Sequence, residues 1–108
     1  MHGEMVPSGN SEPLSKVRDL ICFAIRKKYR IQFEYHSKTR IAEPQCCGIS
    51  SAGKEILRAY LLQGGTRPEQ LFELSKMESL VILKDHFDVP GPNYKKNDSA
   101  MKEIFCQL

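Results

Sequence analysis

Arg58 and Tyr60 stand two residues apart, and Leu57, Ala59 and Leu61 take the alternating positions around them. Residues two apart on an extended strand share a face. The spacing therefore predicts an apolar face turned inward and, opposite it, a cation beside an aromatic plane. Such a pair suits a nucleotide, because a ring stacks on a base for about 1–3 kcal/mol and a guanidinium fork grips phosphate oxygens through paired N–H donors. The same residues also fit a solvated strand face whose tyrosine merely shields the sheet. The densest basic run, Arg26, Lys27, Lys28 and Arg30, has two readings as well. It is a phosphate-binding patch, or it complements the negative end of a helix, where each cation contributes a few tenths to about 1 kcal/mol. Lys95, Lys96 and Lys102 read as solvated charges of the tail.

Catalysis finds little among the remaining reactive residues. His2, His36 and His86 are scattered, and there is no Gly-x-Ser-x-Gly, His-Glu-x-x-His or phosphate-loop pattern. His36 falls in a turn beside Lys38 and Arg40, where it is either polar surface or an aid to phosphate binding. A Cys–His nucleophile would need a cysteine next to His36 or His86, which the spacing does not favour. The expectation is a protein that is not an enzyme and carries no cofactor. The cysteines are Cys22, Cys46, Cys47 and Cys106. Neighbours on a strand point to opposite faces, so Cys46 and Cys47 cannot both enter one metal site. The N-terminus lacks a basic segment followed by an apolar run. Reduced, packed thiols are therefore expected in preference to disulfides or a zinc site.

These residues must be positioned by a single domain, since 108 residues are enough for one modest core. A hydrophobic share of 41% with 27% charged residues is far from the composition that keeps chains disordered. Sixteen Lys and Arg against thirteen Asp and Glu leave a net charge of +3, too slight a bias to imply a polyanionic partner without knowing where the charges sit. No apolar stretch approaches the roughly 20 residues that span a bilayer. The expected location is cytoplasmic, with no membrane partner.

The elements follow from periodicity. Residues 1–10, with Gly3, Pro7, Ser8 and Gly9, read as a flexible leader, and residues 11–108 as the domain. Ser11 supplies an N-cap and Pro13 an early turn position. Leu14, Val17, Ile21, Ala24, Ile25 and Lys28 then recur at helical spacing, giving a helix over 12–29. Five short strands are expected between 30 and 85. Ile31, Phe33 and Tyr35 alternate in the first, and Pro44 marks an edge, bulge or bend in the second. Glu55 to Gln63 is the third, followed by a polar loop over 64–70. Leu71 to Leu74 and Leu80 to Lys84 make the last two. In the tail, 86–108, Pro90 and Pro92 forbid regular structure, and Asp98 or Ser99 could cap a short helix from Ala100 to about Cys106. The fold class is thus α+β, mainly β: a helix, a small curled five-stranded barrel and a C-terminal helix.

Ile31-Gln32-Phe33-Glu34-Tyr35, then Arg40 and Glu43-Pro44, then Ala59-Tyr60-Leu61, then Leu71-Phe72-Glu73-Leu74-Ser75-Lys76-Met77 resemble the WYL-domain pattern in order and spacing, over roughly 14–87. The tail, Phe87…Pro90…Tyr94…Met101…Ile104-Phe105-Cys106-Gln107-Leu108, is similar to that of the small single-domain members. The resemblance implies a bacterial, Sm-like β-barrel of the kind that larger relatives attach to a DNA-binding domain in transcriptional regulation. It further implies a nucleotide or single-stranded nucleic acid as ligand. Residue by residue, the motif tyrosine falls on Tyr60, the basic residue before the Glu-Pro pair on Arg40, and the basic residue ending the fourth-strand motif on Lys76. With Arg58, His36 and Lys38, these form the candidate site. Two positions depart from the pattern. Ala59 stands where tryptophan is expected, and Glu73 stands where arginine is common, so an acid borders the expected phosphate surface. The alternative function is a protein-interaction or homo-oligomeric assembly subunit that binds no nucleic acid.

Overall fold

A computed structural model describes residues 13–108; the expected leader and the Ser11 cap lie outside the described residues. Helix α1 runs Leu14–Lys27 and buries Val17, Ile21, Cys22, Ala24 and Ile25, much of the stripe read from the sequence, while Leu14 stays 40% exposed. It stops two residues short of the expected end because Lys28 turns left-handed, with φ at 60°, and its N–H closes onto the carbonyls of Ala24 and Ile25. Arg26 and Lys27 occupy the last turn, where cations meet the negative end of the helix dipole.

Six strands follow among the described residues: β1 (Tyr29–Tyr35), β2 (Lys38–Ser50), β3 (Glu55–Gln63), β4 (Glu69–Glu73), β5 (Glu78–His86) and β6 (Met101–Gln107), with a 3-10 turn over Leu74–Lys76. All ladders are antiparallel, in the order β4-β3-β2-β1-β5. The sheet does not close, since β4 and β5 lie at opposite ends of that path. The interior is apolar: Ile31 and Phe33 of β1, Leu57 and Ala59 of β3, and Phe72 of β4 are all fully buried beneath α1.

β2 organises the molecule. β3 pairs with it from Ile41 to Ile49 on one edge, while β1 takes its first half and β6 its second half on the other. The handover coincides with a register shift between Pro44 and Cys46. Proline cannot donate to a ladder, so the bulge expected from Pro44 is where the strand changes partner.

Three expectations are corrected. The expected barrel is an open sheet whose end strands β4 and β5 do not pair, the strand count among the described residues is six rather than five, and the C-terminal helix expected over 100–106 is strand β6. Met101, Lys102 and Glu103 favour a helix locally, but the second half of β2 offers a row of backbone donors and acceptors that a strand satisfies and a helix would not. The thiols are corrected too. Cys22 and Cys106 are joined by a disulfide, while Cys46 and Cys47 are free and buried. That link ties α1 to β6 and favours the strand. As expected, the adjacent cysteines diverge: Cys47 joins the main core, and Cys46 a small cluster with Ile56 and Met101.

Candidate anion site

The Arg58 and Tyr60 face exists as the alternation predicts, with Leu57, Ala59 and Leu61 at 0%, 0% and 8% exposure on the inner side. The outer side, however, is not free. The segment before β6 crosses it, and Arg58 donates from Nε and Nη2 to the two carboxylate oxygens of Asp98 at 2.8 and 3.3 Å. This fork holds the Asp98 carboxyl below its ordinary range and the guanidinium above its own. Gly91 lies against Tyr60 so closely that a Cβ there would come within 2.7 Å of the ring. The crossing segment is itself fixed, since Asn97 and Gln107 exchange two hydrogen bonds and the Tyr94 hydroxyl donates to the Leu108 carbonyl at 2.8 Å. Both chemical groups of the expected face are therefore already occupied by the protein.

Beside them a cleft of about 170 Å³ is lined by Gln45, Arg58, Glu69 and Asp98, among others. Gln45, at the bulge, is fully buried with neither amide atom hydrogen-bonded, and Glu69 Oε2 also lacks a protein partner. At about 30 Å³ per molecule, a cleft of this size accommodates water that could serve both groups.

Arg40 is in the opposite situation. It is 7% exposed, donates from Nη2 to the Tyr35 carbonyl at 3.0 Å, and lies 5.6 and 5.8 Å from the ring centroids of Tyr35 and Phe72. Its Nε has no partner, and no carboxylate among the described residues pairs with it. Aromatic faces offset part of the cost of burying a cation, but a charge taken out of water without a counterion remains expensive.

Arg40 opens onto a cavity of about 280 Å³ that it lines with Lys38, Gly64, Gly65, Thr66, Arg67 and Gln70. Three cations, a hydroxyl and an amide line it together, with no acid among the described lining residues. The local fold explains the convergence. Lys38 and Arg40 lie two apart on β2, just after a hairpin turn in which His36 and Ser37 both have positive φ, at 51° and 63°. Gly64, with φ at 98°, lets the loop after β3 close over Arg40, and a Cβ there would collide with the Thr39 carbonyl.

The structure thus separates the six residues chosen from sequence. Arg40 and Lys38 share the basic cavity. His36 is exposed in the adjoining turn, its ring 4.5 Å from that of Tyr35. Arg58 and Tyr60 lie on the covered face. Lys76 pairs with Glu73 at 3.5 Å and lines none of the clefts described; Lys54 neutralises the same carboxylate at 3.5 Å. Arg67, Thr66 and Gln70 were missed because 64–70 reads as polar loop. The signal available was Gly64-Gly65-Thr66-Arg67, a glycine-permitted bend followed by a hydroxyl and a cation, the composition of a loop that can cradle an anion. Comparison with known protein families, curated proteins and solved structures returns no match, so the WYL resemblance rests on the motifs themselves.

Proposed function

We propose that this protein is a non-enzymatic binding module, on an Sm-like curled sheet, that takes a phosphate-bearing ligand at the Lys38, Arg40 and Arg67 cavity. A nucleotide or a short single strand of nucleic acid is the ligand class that the WYL resemblance favours, and a regulatory role follows from it. The observation that carries the proposal is Arg40: a buried guanidinium that pairs with no carboxylate among the described residues, lining a cavity with two further cations and no acid among its described lining residues. A phosphoryl group would supply the missing counterion, and guanidinium forks match its oxygens. At about 280 Å³ the cavity lies just below the roughly 300 Å³ at which small-ligand clefts begin. It suits one phosphoryl-sugar unit better than a whole dinucleotide.

The test is a titration of nucleoside mono- and triphosphates and of short labelled oligonucleotides at several salt concentrations. Binding that weakens as salt rises supports the proposal. Affinity independent of salt, or no binding by any of these probes, contradicts it. Light scattering on the same samples addresses the assembly alternative, because a monomer that binds nucleotide removes the need for it.

A further inference from the structure

We propose that, once the Cys22–Cys106 disulfide is reduced, Cys22, Cys47 and Cys106 form a binding site for a soft monovalent metal ion of the cuprous type. This inference is independent of the anion cavity. The three sulfurs come from three elements, α1, β2 and β6, and all lie within 4.8 Å of one another. The topology makes this unavoidable: Cys47 and Cys106 are register partners in the β2–β6 ladder, and Cys22 is disulfide-bonded to Cys106 across the helix. Cys47 is fully buried and free.

The geometry selects the ion. A trigonal site with metal–sulfur bonds of about 2.3 Å, the zinc–thiolate value, sets its sulfurs about 4.0 Å apart. Three sulfurs already within 4.8 Å reach that spacing by side-chain rotation once the bond between two of them is broken. No fourth histidine, cysteine, aspartate or glutamate joins the group among the described residues. Cys46 faces away, its Sγ 3.4 Å from the Met101 sulfur. Zinc prefers four ligands, which this buried cluster does not supply. Thiolate softness and a low coordination number favour Cu(I).

The chemistry balances in two stages. A small dithiol or phosphine reductant delivers two electrons and two protons, breaking the Cys22–Cys106 S–S bond to give two thiols while the reductant is oxidised. Cu(I) then forms three Cu–S bonds as three S–H protons pass to solvent. With the disulfide intact the cluster offers one thiol, Cys47, and no site. Metal loading is thereby made conditional on reduction.

The experiment titrates Cu(I) into reduced and oxidised protein against a coloured cuprous chelator. X-ray absorption on the loaded sample then counts the sulfur neighbours. Reduced protein is expected to take one Cu(I) with three sulfur neighbours, and oxidised protein none in competition. Cys47→Ala should weaken binding by at least about tenfold, the lower range that even outer-shell partners of a metal command, while Cys46→Ala leaves it unchanged. Circular dichroism on each variant confirms that it is folded. If the alanine variant at position 47 misfolds, the sulfur count on the wild type decides alone. Two sulfur neighbours, equal binding by oxidised protein, or full affinity in folded Cys47→Ala would overturn the proposal.

Discussion

Arg40 and Arg58 lie on neighbouring central strands, the first buried and the second part-buried, yet their surroundings are opposite. Arg58 is gripped by Asp98 and roofed by the segment before β6, whereas Arg40 meets two aromatic rings, one carbonyl and two more cations. The first is a neutralised pair that consolidates the fold. The second is a charge with no carboxylate partner among the described residues, at an open cavity. On the function proposed above, what sets the two arginines apart is whether the protein itself answers the charge, and not the strand face each occupies.

The cover over Arg58 offers the largest way to break the comparison. Reducing the Cys22–Cys106 disulfide, which spans 84 residues, should lower unfolding stability by about 2–4 kcal/mol, measured by denaturant titration with and without reductant. The loss should loosen β6 and the segment before it, and hydrogen exchange should rise there first. Nucleotide affinity at the Arg40 cavity should hold. Next in size, Gly64→Ala demands a left-handed alanine pressed on the Thr39 carbonyl, at a cost of about 1–3 kcal/mol. It should weaken nucleotide binding as well, because the loop that closes over Arg40 must move.

Much of this was legible in the sequence, and the failures have one cause. Strand periodicity placed Leu57, Ala59 and Leu61 inside, helical periodicity found most of the buried face of α1, and Pro44 marked the bulge, because each signal is local. Nothing local showed that Asp98, forty residues away, would reach Arg58, or that Gly91 would lie on Tyr60. Nor could Met101–Gln107 be read as a strand, since its reason for extending is the vacant edge of β2. The basic cavity is half legible: the motif spacing points to Arg40 and Lys38, but Arg67 joins them only when the loop after β3 folds back. The disulfide is not legible, because no local signal carries the distance between Cys22 and Cys106.

Asp98→Asn probes the neutralised pair directly. The Asp98 carboxyl is held below its ordinary range chiefly by the Arg58 hydrogen bonds, so its folded pKa lies beneath the unfolded value of about 4. The pair's contribution is then fully present above about pH 4 and is lost as pH falls through the lowered folded value. Wild type should exceed the asparagine variant by about 1–2 kcal/mol at neutral pH, and the gap should vanish in strong acid. The same variant leaves Arg58 without its counterion and should raise polyanion affinity a few-fold. The smallest effect belongs to Tyr60→Leu, where Gly91 already covers the ring. Nucleotide affinity should change less than about twofold, and stability by less than about 1 kcal/mol.

The most direct comparison measures nucleotide and oligonucleotide affinity for Arg40→Met beside Arg58→Met, each checked for folding by thermal melt. Methionine keeps much of the volume and removes the charge. Arg40→Met should lose at least about tenfold in affinity, the loss of one charge-assisted contact of about 1.5–3 kcal/mol, with a shallower salt dependence, while Arg58→Met stays near wild type. A folded Arg40→Met that binds as tightly as wild type, or a loss confined to Arg58→Met, would contradict the assignment and return the site to the face under Gly91 and Asp98.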